Sequence, residues 1–559
     1  MMAVASIPPL LHVPPFPGAR ALPPLAVSGS GKPAPGEAAQ FVAALRDSRV
    51  GGTFWGAQPP CARQDYRLVR APDLLRAEAL LATADRDVRP ILLWLDTATA
   101  DAPQDVEILT GPCDPWHMVE HAQDVLVDAN DDLALIAALA GKRVRIVGDG
   151  PFASLNSSDD ALLRVIEDVL LTHWDWRDPF TGAPCSLLDS IATLRHWRKL
   201  IDANRPIRGA FGFGAWKQDT VEALLWDGGD GAVPFLPAQD SALGKLGATD
   251  AIALWKARVP APFLDMCEKS GHPLYEVEDG FIRSVGLGAD CVPPLSIVVD
   301  PLGAHFDPSR PNRLEQMLAT VEIDAELRAR ARELRALIIE SGISKYEVGD
   351  AEPLPRPGGD RRHILVPGQV EDDRSVLLGG GDVRGNLDLI RRARAHEPDA
   401  YILYKPHPDV LSGHRVGHVV EADALAHADA VVTDQPIGAL LDMVDGVHVL
   451  TSLAGFEALL RGKEVTTHGT PFYAGWGLTR DLGSIPDRRG RSIDLDTLVA
   501  VTLLLYPSYL DPVTGLPCPP EILIARLVAG VRRENKAVVT FRKVQGNLRR
   551  ALFRVGSAA

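Results

Sequence analysis

The stretch VHVLTSLAGFEALL, residues 447–460, decides how the chain is read. An apolar run at 447–450 gives way to Thr451 and Ser452, and then to a helical spacing of apolar residues that begins near Ala454. A strand that feeds a helix within so few residues is one βα step of a parallel sheet. The same alternation of short apolar runs and amphipathic stretches recurs outward, in RVRIV (143–147), HILVP (363–367), AYILY (400–404) and AVVTD (430–434). The spacing therefore predicts an α/β chain built on parallel sheets.

Composition bounds what such a chain can do. Its 559 residues are 46% hydrophobic and 23% charged, enough to bury several cores. A formal net charge of −15 gives no general attraction for nucleic acid, so an anionic ligand needs a local site. Six cysteines (Cys61, Cys113, Cys185, Cys267, Cys291, Cys518) include no Cys-x-x-Cys pair, which points away from a zinc or disulfide framework and toward a reducing cytoplasm. Prolines at 8, 9, 14, 15, 17, 23 and 24 interrupt every early apolar run, so no signal peptide is expected. Nothing approaches the roughly 18 apolar residues of a membrane span.

Residues 1–45, rich in Pro, Ala and Gly, are expected to form a disordered, mobile tail. Beyond it an internal repeat organises the chain. DPFTGAPC (178–185) returns as DPVTGLPC (511–518), and DDLALIAALAGKRV (131–144) aligns with SLAGFEALLRGKEV (452–465). The early copy lacks the polar groups of the late one: Asn130 and Asp131 stand where Thr451 and Ser452 do, and Ile136 where Glu457 does. Residues 46–195 thus read as a degenerate Rossmann-like half-module. At the other end, 526–559 reads as a basic amphipathic tail, with eight basic residues from Arg532 to Arg554 against Glu534. That pattern suits a helix on an anionic membrane surface, and equally a solvated charged helix.

Three constellations carry chemistry. Thr451 and Ser452 put two hydroxyls and free N–H groups at a helix start, where a phosphate is favoured, although capping alone accounts for either residue. Lys405-Pro406-His407-Pro408-Asp409 follows the run 401–404, at the strand end where open α/β sheets bind ligands. The flanking prolines restrict the backbone of His407 and so direct its side chain. EVEDGFIRSVGLG (276–288) gathers three acids, an arginine and two glycine turns. Adjacent carboxylates raise one another's pKa, so one can act as nucleophile or base.

Together the strings EDGFIRSVGLGAD, PPLSIVVD, SKY (344–346), PGQVEDDRS (367–375), YKPHPDV, TSLAGFEALLRGK and PFYAGWGLT (471–479), in that order, resemble the retaining β-Kdo glycosyltransferases of bacterial capsule assembly. The resemblance covers roughly 170–520 and matches the second of the two tandem modules common in that family. It implies a GT-B-like fold of two Rossmann-like lobes: an N-terminal lobe at 196–350 with the catalytic acid and the acceptor side, and a C-terminal lobe at 351–525 that binds the CMP-sugar. HWRKL (196–200) and FGFGAWK (211–217) would open that module. The chain departs from the family pattern at Gly303-Ala304-His305-Phe306-Asp307, at Trp255-Lys256 and at Ser344-Lys345-Tyr346-Glu347, so the resemblance carries further for the donor than for the acceptor.

The implied reaction moves Kdo from CMP-Kdo to a Kdo-terminated glycolipid, with no cofactor or metal. Retention in two displacements needs a carboxylate nucleophile, assigned to Asp279 with Glu278 as its substitute. Arg283, Ser284, Gly280 and the outer acid Glu276 are expected at the sugar, with Arg283 pairing its carboxylate and Gly286 and Gly288 letting the backbone approach. Lys405, His407, Pro408, Thr451, Ser452, Glu457 and Gln369 are expected at the nucleotide. The acids 371–373 are expected in a loop near it. Other capsule-assembly proteins and the inner face of the inner membrane would be its partners. A CMP-sialic acid-type transferase and a non-catalytic assembly subunit are the rival readings.

Overall fold

The computed structural model describes residues 10–20, 24–29, 36–61, 65–84, 90–98, 106–155, 158–284, 292–343, 354–413 and 415–531. It divides into two units, one holding the chain up to Pro206 with Leu225–Ala232 and the other holding the rest. The SKY motif, Gly286, Gly288 and the basic tail from 532 lie outside the described residues. Among the described residues no helix is long and apolar enough to cross a membrane.

The first unit is built on a five-stranded, wholly parallel sheet whose order is Glu107–Thr110, Ile91–Leu95, Tyr66–Ala71, Ala122–Asp128, Arg143–Val147. Its central strands read LVRA and VLV, with side chains buried on both faces of the sheet. The second unit carries a six-stranded parallel sheet in the order Ala430–Val431, Tyr401–Lys405, His363–Pro367, Gly446–Val449, Glu464–Thr467, Arg480–Asp481. Taken in chain order, both sheets run third, second, first, fourth, fifth, so the repeat seen in the sequence is also a repeat of topology.

Finer features repeat as well. Each copy has a helix ending in a π-helical turn (Glu167–Leu171 and Ala500–Leu505), then a short strand (Trp174–Trp176 and Ser508–Leu510), then the octapeptide turn. In that turn Asp178 accepts from the N–H and hydroxyl of Thr181, as Asp511 does from Thr514. Gly182 and Gly515 close the two turns at φ 73° and 76°, a left-handed conformation that favours glycine. π-helical turns are rare, so their match is stronger than the octapeptide alone.

The second unit also carries a seven-stranded sheet. Phe235–Leu236, Ile207–Phe211, Ala251–Leu254 and Leu274–Asp279 run parallel, and Ser296–Asp300 is added antiparallel. Ser508–Leu510 and Pro517–Cys518 then return to complete this sheet, although both fall inside the segment expected to be the C-terminal lobe. Periodicity marks a strand but not the sheet it joins. The two sheets of this unit are the two Rossmann-like lobes of a GT-B-like fold.

Three other boundaries differ from expectation. Residues 1–45 are not a free tail throughout: Leu10, Leu11 and Phe16 are buried, the Phe16 ring lies 5.7 Å from that of Trp197, and Glu37–Ser48 is a helix. Proline removes N–H donors without preventing its apolar neighbours from packing. The helix Leu187–Asn204 runs through the expected 195/196 boundary, so HWRKL closes the first unit and does not open the second. Its start is fixed by the reciprocal capping of Ser186 and Asp189. Likewise Pro520–Val528 is one helix across 525/526.

Inside the six-stranded lobe, His448 and His468 are buried and joined by a 3.0 Å hydrogen bond between Nδ1 and Nε2. Burial pulls them down to about 3 and about 4, with neighbouring His396 adding to the effect. The unfolded chain therefore takes up protons below about pH 6.5 that the folded one refuses, and stability is lost as pH falls from there toward 4. Urea unfolding at pH 7 and pH 5 should differ by up to about 2 kcal/mol for each histidine. A His448→Gln, His468→Gln double variant should show a smaller difference; an equal one would show that these rings do not couple folding to pH.

Candidate functional site

The three acids of the EVED segment lie on the strand Leu274–Asp279, and each has different company. Glu276 is only 2% exposed and lies 2.9 Å from Lys256 Nζ, 3.5 Å from Arg310 Nη2 and 2.7 Å from Arg374 Nη1. Asp279 has Lys217 Nζ at 3.4 Å on Oδ1 and Arg283 Nε at 2.8 Å on Oδ2. Glu278, one residue before it, accepts from Arg374 Nη1 at 3.0 Å. Burial pushes the Glu278 carboxyl up to about 8, against the pull of Arg374 and with Glu276 and Asp279 adding to the rise. Lys217, whose Nζ sits 3.0 Å over the Trp255 ring, is pulled down to about 8 by burial although Asp279 favours its charged form.

Across the unit, the six-stranded lobe presents its residues at the carboxyl ends of adjacent strands. Gln369 donates through Nε2 to Thr451 Oγ1 at 3.0 Å and accepts the Thr451 N–H at 2.9 Å. A hydroxyl that accepts in this way keeps its own proton to donate. Ser452 caps the helix Leu453–Leu460 by accepting from Ala454 N–H, and Glu457 is buried in that helix. His407 caps the short turn that begins at Pro408, its Nδ1 accepting the Asp409 N–H at 3.1 Å. A neutral ring so bonded carries its proton on Nε2. Lys405 Nζ donates to Gln435 O at 2.6 Å.

The helix Arg374–Gly379 ties the two groups together. Its first residue reaches Glu276 and Glu278, with its guanidinium 5.1 Å from the Phe306 ring, and a side chain at Gly379 would meet Thr451 and the Phe306 carbonyl. From the other side, the Phe281 ring lies 6.3 Å from Phe456 and 4.8 Å from Phe472. The 374–379 helix and these rings therefore make the acid strand and the Thr451 helix start neighbours within the second unit.

Several expected roles change here. Arg283 is 1% exposed and donates from Nε to Asp279, from Nη1 to Ser284 Oγ and from Nη2 to Val292 O, so each of its nitrogens is engaged within the chain and it braces Asp279. Ser284 is committed to that brace. At Gly280 a Cβ would fall 2.3 Å from Ser296 Oγ, so it is packing against Ser296 that requires the glycine. Glu276 is enclosed by cations and has no open face to a sugar. Gln369, clamped by Asn386 through both backbone groups, positions Thr451. The acids at 371–373 are each committed: Glu371 to the N–H of Asn386, Asp372 to Arg415 and Asp373 to the cap of the 374–379 helix. Among the described residues no three His, Cys, Asp or Glu side chains are grouped to hold a metal ion.

Lys217, Lys256, Arg310 and Arg374 were not expected at the site from the sequence. Lys217 and Arg374 lie in quoted strings and Lys256 stood out only as a departure from the family pattern, but only the fold shows which acids they face.

The matching crevice of the first unit has a different character. Asp131 holds the Leu133 N–H and lies 3.5 Å from Arg70, Arg76 pairs with Asp128, and burial pushes Asp132 up to about 6. Asn130 and Asp131 stand here in place of Thr451 and Ser452, and the acids Asp131 and Asp132 at this helix start repel phosphate.

The description "Capsule polysaccharide biosynthesis protein" matches residues 250–347 and 339–509. The capsule polysaccharide modification protein LipA of Neisseria meningitidis serogroup A is 37% identical over 436 residues, 73% of this chain and 60% of LipA. The lipopolysaccharide-processing protein LpsZ of Rhizobium meliloti is 48% identical over 244 residues, 43% of this chain and 55% of LpsZ. The chain thus spans less than two thirds of either relative. Among solved structures, KpsC of Thermosulfurimonas dismutans, described as a beta Kdo 2,7 transferase, is 33% identical, covers 57% of this chain, is covered over 98% of its own length and has a TM-score of 0.47.

Proposed function

We propose that this chain, whose residues 250–509 match the capsule polysaccharide biosynthesis family, carries in its second unit a retaining glycosyltransferase that moves Kdo from CMP-Kdo to a Kdo-terminated glycolipid. The observation that carries the reading is a braced carboxylate, Asp279, on a strand that the 374–379 helix links to a phosphate-ready helix start at Thr451 and Ser452. Asp279 attacks the anomeric carbon as CMP leaves, and the acceptor hydroxyl then displaces it with a second inversion. Lys217 and Arg283 fix both carboxylate oxygens, so the nucleophile pays no reorganisation when it reacts. The departing phosphate is met by the Thr451 hydroxyl, the helix N–H groups and His407 Nε2–H, all set before reaction. No diphosphate leaves, so this step calls for no metal clamp. The first unit, whose crevice carries acids at the phosphate position, is a relic module without turnover.

His407→Ala should weaken CMP binding by roughly 1.5–3 kcal/mol, about ten- to a hundredfold. Titration calorimetry checks it, and unchanged affinity in the folded variant would remove His407 from the site.

A further inference from the structure

If Arg283 is spent beneath Asp279, an acidic sugar must find its cation elsewhere. A count of guanidinium nitrogens around the acid strand identifies it. Arg283 uses Nε, Nη1 and Nη2 within the chain. Arg310 uses Nε on Asp307 and Nη2 on Glu276. Lys256 and Lys217 are buried against Glu276 and Asp279. Arg374 differs: both its ion pairs are made by Nη1, and among the described residues its Nε and Nη2 make no hydrogen bond within the chain. Its side chain is 27% exposed, and its guanidinium lies 5.1 Å from the Phe306 ring.

We propose that Arg374 is the specificity-determining residue for the donor sugar, reading the carboxylate of an acidic sugar with its Nε–H and Nη2–H edge while Nη1 stays on Glu276 and Glu278. That edge is the one whose two parallel N–H groups match a carboxylate, and a neutral hexose offers nothing to accept both. The position suits the task. Arg374 starts the helix whose other end touches Thr451, so the carboxylate is gripped between the phosphate site and Asp279. The anchoring pairs come from the opposite lobe, so the fork is aimed only when the acid strand and the 374–379 helix are both in place. The inference rests on the glycosyl-transfer reading above and names the substrate class of that same site.

The test is calorimetric binding of CMP and of CMP-Kdo to the full chain, to Arg374→Gln and to Arg374→Lys, with thermal melts to establish folding. Arg374→Gln should bind CMP within about twofold of the parent and CMP-Kdo about 10- to 100-fold more weakly. Arg374→Lys keeps the charge but loses the fork, so it should still bind CMP-Kdo at least about fivefold more weakly. The lysine variant, the milder change, carries the same discrimination if the glutamine variant does not fold. A parent that binds CMP-Kdo, with variants that lose both ligands equally or neither, overturns the inference and leaves the transfer reading standing. A parent that binds neither ligand and transfers no sugar overturns that reading, and the inference with it.

Discussion

Asp279→Asn should abolish sugar transfer, by at least about a thousandfold in turnover, while leaving CMP affinity within about twofold. The group lost is the one that bonds to the anomeric carbon, and the phosphate site stands on other elements. Asparagine is the informative choice because it keeps the side-chain volume and one oxygen to accept from Arg283 or Lys217, whereas alanine would leave both buried cations facing a void and confuse loss of folding with loss of chemistry. Mixing the parent protein with CMP-Kdo and no acceptor should give a Kdo adduct on the peptide that contains Asp279, detected by mass spectrometry. An adduct on Glu278, or normal turnover by the Asn variant, makes the assignment wrong. Changes at Asn130 or Asp131 should leave turnover as it was, since those positions border the acidic crevice of the first unit.

Glu315→Ala should cost about 3–5 kcal/mol of stability, a loss measured as a lower urea midpoint at unchanged slope. Glu315 is 5% exposed and accepts from Arg489 at 2.5 Å and from Arg488 at 2.6 Å, and the Arg489 side chain is itself 1% exposed. These pairs join the helix Arg313–Thr320 to the turn Asp487–Arg489 from the far part of the chain. Burial works against the Arg489 charge and Glu315 supports it, so removing the acid leaves a guanidinium buried without its counter-charge. A loss below about 1 kcal/mol would mean that water reaches the pair.

What the sequence disclosed follows from which forces are local. Apolar runs and helix starts depend on near neighbours, and so the strands at 143–147, 363–367, 401–405 and 446–449, the helix that follows Ser452 and the internal repeat were legible. Which sheet receives Ser508–Leu510 depends on long-range packing, so the lobe boundary was not. The site divides in the same way. Asp279, His407, Thr451 and Ser452 stand out as residue types at strand ends and helix starts. Arg283 looked like a sugar ligand because it follows the acids closely in sequence, and that closeness is what lets it fold back under Asp279 at i+4. Lys217, Lys256 and Arg374 meet their acids across separations of 62, 20 and 96–98 residues, and no local pattern points to such partners. The tail 1–45 was misjudged because composition counts prolines but does not see the aromatic pocket that receives Phe16.

One reaction decides whether the second unit transfers an acidic sugar with retention. The full chain is incubated with CMP-Kdo and a synthetic Kdo-terminated acceptor, and the product linkage is determined by nuclear magnetic resonance. The account predicts a new β-linked Kdo and release of CMP that depends on Asp279. An inverted linkage, or no acceptor-dependent release of CMP by the folded protein, would contradict it.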